Sequence, residues 1–200
     1  MRIILASQSP RRRELLAQMG LSRFVVRPAL GEELADPSLP PAGLVEALSR
    51  RKAEEVAARS DPGDLVIAAD TVVAIDGQIL GKPRDEAHAR EMLTLLSGRE
   101  HVVYTGVTVC REGELLTRHE ATRVRFRPLS PGEIDAYTAS GEPMDKAGAY
   151  GIQGLGALLV EGITGDYFNV VGLPVCLLGR MLAQFDADPL AGPAQEGPVR

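Results

Sequence analysis

Lysine is nearly missing from this chain of 200 residues. Of 22 basic side chains, 19 are arginine and only Lys52, Lys82 and Lys146 are lysine. A chain that uses arginine almost everywhere keeps lysine where a compact ammonium suits better than a guanidinium fork. A bias toward arginine would also leave three stragglers by chance, so the scarcity is a pointer only. A basic excess is lacking too. With 27 acidic residues the formal charge is −5, which argues against sequence-independent nucleic-acid binding but leaves room for a small phosphate ligand in a local basic cluster. Cysteine is scarce: Cys110 and Cys176 lie far apart in apolar runs, a pattern that predicts core thiols rather than a disulfide framework or a zinc site. No apolar stretch reaches the ~18–20 residues of a membrane span, so no membrane partner is expected. Arg11, Arg12 and Arg13 follow the first apolar run instead of preceding it, unlike a signal peptide, and the chain is expected to be cytoplasmic. No solenoid repeat is evident. His88, His101 and His119 show no HExxH spacing, and no GxSxG elbow occurs, which argues against histidine-built metal hydrolases and α/β-hydrolases.

What is present reads as one globular domain, at 44% hydrophobic and 24% charged. Apolar periodicity predicts strands over residues 2–6, 24–26 and 65–69, the last ending in Asp70, then a hairpin turning at Asp76–Gly77. A meander over residues 101–111 and 115–127 and a strand over 158–163 follow. Helices are predicted over 10–19, 42–59, 84–96, 130–138 and 175–185. Strands alternate with helices early and form a meander later, so a mixed α/β or α+β fold is expected, with residues 186–200 as a frayed tail.

Five features could carry chemistry. Ser7-Gln8-Ser9-Pro10-Arg11-Arg12-Arg13 stands between a strand and a helix, with Ser9 as N-cap and Pro10 as first helical residue. Three arginines in the first turn oppose the helix dipole at ~0.3–1 kcal/mol each. Free N–H groups, hydroxyls and guanidinium forks together describe a phosphate site; the alternative is a basic turn paired to Glu14. Lys52 continues the stripe Leu44, Leu48, Lys52, Val56 along one helix face, either snorkelling at its margin or aimed into a cleft. Asp70-Thr71 closes a buried strand, where Asp70 could hold a divalent metal or orient water, or merely cap a turn. Glu32-Glu33 could add a second carboxylate. Gly81-Lys82-Pro83 fails as a P-loop but holds a lysine in a rigid turn. Residues 140–154 form a glycine-rich loop in which Gln153 offers both amide donor and acceptor to a base edge.

Together these motifs resemble the Maf family. Leu5-Ala6-Ser7-Gln8-Ser9-Pro10-Arg11-Arg12, Ala69-Asp70-Thr71-Val72-Val73, Gly81-Lys82-Pro83, Leu96-Ser97-Gly98, Ser140-Gly141-Glu142-Pro143, the run Asp145-Lys146-Ala147-Gly148-Ala149-Tyr150-Gly151-Ile152-Gln153-Gly154, and Asn169-Val170-Val171-Gly172-Leu173-Pro174 occur in family order. The resemblance spans residues 3 to about 185 and implies a single catalytic domain, 1–185. It also implies an elongated, two-lobed mixed α/β fold with a deep cleft, similar to inosine triphosphatases. The activity it implies is hydrolysis of a nucleoside triphosphate to monophosphate and pyrophosphate, as house-cleaning of the nucleotide pool. The run around Gln153 is similar to the branch that cleaves dTTP and UTP, with modified pyrimidine nucleotides a further substrate class. By the same resemblance Asp70 is the proton acceptor, Lys52 and Lys82 are catalytic lysines, and Ser7, Ser9, Arg11 and Arg12 bind phosphate. Arg12, Thr71 and Gln153 are associated with base choice. A divalent cation (Mg, Mn or Co) would be held by Asp70 and Glu33, and a homodimer is implied. The alternative is a nucleotide-sensing regulator of septum formation, binding the same ligand without turnover.

Overall fold

In the computed structural model, residues 1–31, 36 and 38–191 are described. Glu33 and the end of the expected tail lie outside the described residues. The first apolar run forms β1 (Ile3–Leu5), and helix α1 (Pro10–Gln18) starts where Ser9 Oγ accepts a hydrogen bond from the Arg12 N–H at 3.4 Å. Strand β2 (Phe24–Val26) follows, then α2 (Pro41–Ala57), entered through a proline whose missing N–H costs nothing there. Strand β3 (Leu65–Ile75) turns through Asp76 and Gly77, both at positive φ, into β4 (Gln78–Leu80). Helix α3 (Glu86–Leu96), capped by Asp85, leads into the meander of β5 (Glu100–Arg111) and β6 (Glu114–Phe126). Helix α4 (Pro131–Ala139) carries a capping box between Ser130 and Glu133. Three short 3-10 turns fill the glycine-rich stretch before β7 (Val160–Thr164), α5 (Tyr167–Val171) and α6 (Val175–Ala183).

Among the described residues, seven strands make one mixed sheet in the order β2-β1-β3-β5-β6-β7, with β4 also on β3. Strands β1, β2 and β3 run parallel, and the other pairings are antiparallel. Side chains of β3 alternate between two faces. Val66, Ala68 and Val72 face α2, packing on Ala53, Val56, Leu44 and Leu48. Leu65, Ile67 and Ala69 face the other way, into a cluster with Leu16 of α1 and Leu178 and Leu182 of α6. Further along that same face, Val73 and Ile75 join a second cluster with Leu93 and Leu96 of α3 and Tyr137 of α4. The core on that face is therefore divided into two along the length of β3.

Two expectations are corrected. Asp70 does not end its strand: it sits inside the eleven-residue β3, because the strand exchanges one edge partner for another there and continues. Cys110 is buried as expected, but Cys176 is exposed. The buried face of α6 is built on Leu178, Met181 and Leu182 at helical spacing, and Cys176 falls off that stripe.

Candidate active site

The cleft opens where β3 lacks an edge partner. β1 pairs with Leu65–Ile67 and β4 with Val73–Ile75, so among the described residues no strand lies beside residues 68–72 on that side. Instead Arg12 reaches in from α1 and its Nη1 donates to the Ala69 carbonyl at 2.8 Å, so a guanidinium satisfies what a strand would have satisfied. The cavity here has a volume of about 740 Å³. Its lining includes Ser7, Ser9, Arg11, Arg12, Lys52, Asp70, Thr71, Lys82 and Gln153. Every candidate residue except Glu32 and Glu33, which lie outside the described residues, is thus brought to one place from five separate segments.

Because β3 alternates, Asp70 and Thr71 point to opposite faces. Asp70 faces α2, where the Lys52 Nζ donates to its Oδ1 at 2.5 Å. Both side chains are mostly buried, at 16% and 11% exposure, so this pair is far less screened than a surface ion pair. The two open readings of Lys52 resolve here: its ammonium is aimed at the cleft. A close approach of α2 makes the contact possible. Asp70 is paired in register with Gly106 of β5, and a Cβ at Gly106 would lie 2.1 Å from the Val45 carbonyl oxygen of α2.

Thr71 faces the other side. Thr105 Oγ1 donates to the Asn169 carbonyl at 3.0 Å, so the 2.9 Å contact between Thr71 and Thr105 uses the Thr71 proton. Thr71 Oγ1 is left as an acceptor, and Arg12 Nη2 donates to it at 3.0 Å. Arg12 also donates from Nε to the Gly172 carbonyl at 2.8 Å and from Nη1 to Ser7 Oγ at 3.3 Å. It therefore ties α1, β3 and the turn after α5 together, a structural engagement that the phosphate pattern in the sequence did not disclose. Asn169, fully buried, supports this chain of contacts by donating to the Val103 carbonyl and to Thr122 Oγ1, each at 3.0 Å.

The opposite wall is the glycine-rich loop. Gly148, at φ 68°, donates its N–H to the Gly81 carbonyl at 3.0 Å, so the loop is fastened beside Lys82. Lys82 and Gln153 are exposed and line the cavity. Gln153 is presented by a turn that Glu142 organises: the Glu142 carboxylate accepts from Leu155 N–H at 3.0 Å, Gly156 N–H at 3.1 Å and the Tyr137 hydroxyl at 3.0 Å. Below the loop, His101 and the Tyr150 hydroxyl are 2.7 Å apart, and burial pushes the imidazole down to about 4, so it is neutral near pH 7. Nothing in the sequence pointed to Gly106, His101 was weighed only as a metal ligand, and Glu142, Asp145 and Asn169 stood inside quoted motifs with no role attached.

Among the described residues, the cavity is lined by five cations (Arg11, Arg12, Lys52, Lys82 and Lys146) against the carboxylates Asp70 and Asp145. The local balance is positive although the whole chain carries −5. Among the described residues, no group of three His, Cys, Asp or Glu side chains is arranged to hold a metal ion. The Asp70 carboxylate beside a phosphate-sized basic cleft fits a hard divalent ion that takes its other ligands from phosphate oxygens and water, as magnesium does, and does not resemble a closed protein cage. Among the described residues no helix is long and apolar enough to cross a membrane.

Known proteins place this cleft in context. A dTTP/UTP pyrophosphatase of Moorella thermoacetica is 54% identical over 94% of this chain and 96% of its own. One named alike from Carboxydothermus hydrogenoformans is 55% identical over 92% and 99%. A solved HAM1 protein from Coxiella burnetii aligns at 14% identity with a TM-score of 0.46, over 63% of this chain and 73% of that one, a likeness too slight to bear on the site. The profile of the family described as Maf-like protein matches residues 2–185, and the chain belongs to that family.

Proposed function

We propose that this chain is a nucleoside triphosphate pyrophosphatase acting on dTTP and UTP, releasing the nucleoside monophosphate and pyrophosphate. The observation that carries the reading is the buried Lys52–Asp70 pair on the floor of a positively lined cleft. The naming of relatives at about half identity supports the same substrates. A triphosphate brings about four negative charges, and its transition state spreads charge over equatorial oxygens, so positioning and electrostatics do most of the work. Arg11 and the Ser7–Ser9 turn meet the phosphates on one wall and Lys82 meets them on the other. Lys52 fixes the orientation of the Asp70 carboxylate, which accepts the proton of the attacking water. Attack is at the α-phosphorus, the position that yields pyrophosphate as leaving group. A divalent cation, when bound, neutralises phosphate charge and polarises the reacting oxygens, with Asp70 as the carboxylate placed to hold it. Gln153 and Thr71 contact the base. The catalytic unit is residues 1–185, and a homodimer goes with the same family reading.

Turnover of dTTP, UTP, CTP and 7-methyl-GTP, with Asp70→Asn as control, tests this. Metal-dependent, saturable turnover of dTTP and UTP is expected, falling roughly 10²–10⁴-fold in Asp70→Asn. Equal, unsaturable, metal-independent rates across the set would contradict it. A regulator that binds without turning over would keep the Arg and Ser cradle but have no need of Asp70, so the enzyme is the better reading.

A further inference from the structure

Asp145 stands in the cleft with no part in the chemistry above, yet it holds a residue that has one. Its Oδ2 accepts from Arg11 Nη1 at 3.1 Å, and its Oδ1 from Lys146 Nζ at 2.7 Å. Arg11 belongs to the first turn of α1, which contains no acidic residue of its own. Asp145 comes from the opposite wall, at the end of the first 3-10 turn, 134 residues along the chain. The ion pair therefore spans the cleft, and all three side chains line it.

The two cations differ in freedom. Lys146 is confined: its side chain is 13% exposed, its Nζ also donates to the Glu142 carbonyl at 2.5 Å, and a Cβ on Gly151 would come within 2.8 Å of its Cε. Arg11 is more open at 26%, and the Asp145 side chain is 58% exposed. A partly exposed single-contact pair of this kind is weak. A guanidinium offered phosphate oxygens makes shorter, stronger, paired bonds.

We propose that Asp145 is a positioning residue that competes with the substrate's phosphates for Arg11, and that Lys146 retains the carboxylate once the phosphates have taken Arg11. The proposal rests on the pyrophosphatase reading. Asp145 holds Arg11 across the cleft before binding and returns to it afterwards, which weakens the grip on pyrophosphate and hastens its release. Partial burial alone would raise the Asp145 carboxyl, but Lys146 and Arg11 outweigh it and hold it below the usual carboxylate range, so the competitor is ionised at neutral pH.

Calorimetric titration of inorganic pyrophosphate into the wild-type chain, Asp145→Asn, Asp145→Ser and Asp145→Glu decides this, with dTTP kinetics and melting temperatures alongside. Asp145→Asn and Asp145→Ser should bind pyrophosphate roughly two- to fivefold tighter, the range expected when an exposed charge partner is removed. KM for dTTP should fall, kcat should fall where release limits it, and Asp145→Glu should stay near wild type. Unchanged or weaker pyrophosphate binding by both neutral variants, in chains that melt normally, overturns the proposal alone. A wild-type chain that binds neither pyrophosphate nor dTTP overturns it together with the pyrophosphatase reading.

Discussion

A lysine on the buried face of a helix is costly unless something receives its charge, and Asp70 receives that of Lys52 at 2.5 Å. The stripe Leu44, Leu48, Lys52, Val56 was legible in the sequence because helical spacing is local. Its partner was not, since it depends on how α2 lies across β3. A guanidinium, which is planar, longer and forked, does not reproduce this single short ammonium contact. Lys52→Arg should therefore lower kcat at least tenfold while shifting the melting temperature little, and Lys82→Arg should also impair turnover beyond any loss of stability. Steady-state kinetics paired with thermal melts check both. Normal turnover in both variants would mean that lysine scarcity is only composition bias. Arg12 teaches the reverse lesson. Its place at a helix N-terminus advertised phosphate binding, whereas three of its contacts are with Ala69, Thr71 and Gly172, all distant in sequence.

At the level of elements, the strands and helices read from periodicity match the structure to within a few residues at nearly every segment. The exceptions have physical causes. Helix α5 has only five residues, too few to show a period, and β3 runs on through Asp70 because its outer edge exchanges β1 for β4. That exchange, not the end of a strand, makes the opening in which the site lies. Gly106 was also invisible, since nothing local explains a glycine in the middle of a long strand; only the approach of α2 does. A Cβ there would sit 2.1 Å from the Val45 carbonyl oxygen, on backbone that cannot swing aside. Gly106→Ala should destabilise by about 1–3 kcal/mol through overpacking. It should also lower kcat by drawing Lys52 away from Asp70. An unaltered melting temperature and rate would show that α2 does not depend on this approach.

For the whole molecule, a formal charge of −5 conceals a positive cavity of about 740 Å³. Two apolar clusters, under α1 and α6 and under α3 and α4, hold its walls on a shared sheet. Five of the seven motifs signalled in the sequence line that cavity, all but Leu96-Ser97-Gly98 and Ser140-Gly141-Glu142-Pro143, and the order of those motifs was enough to indicate the family. The cross-cleft contact between Arg11 and Asp145 was not legible, because it needs both walls in place. On the proposed function, this architecture delivers water to the α-phosphorus of dTTP or UTP. Hydrolysis in oxygen-18 water, with both products analysed by mass spectrometry, tests it most directly. One labelled oxygen in the monophosphate and unlabelled pyrophosphate are expected. Label in pyrophosphate, or release of a diphosphate and inorganic phosphate, would contradict it.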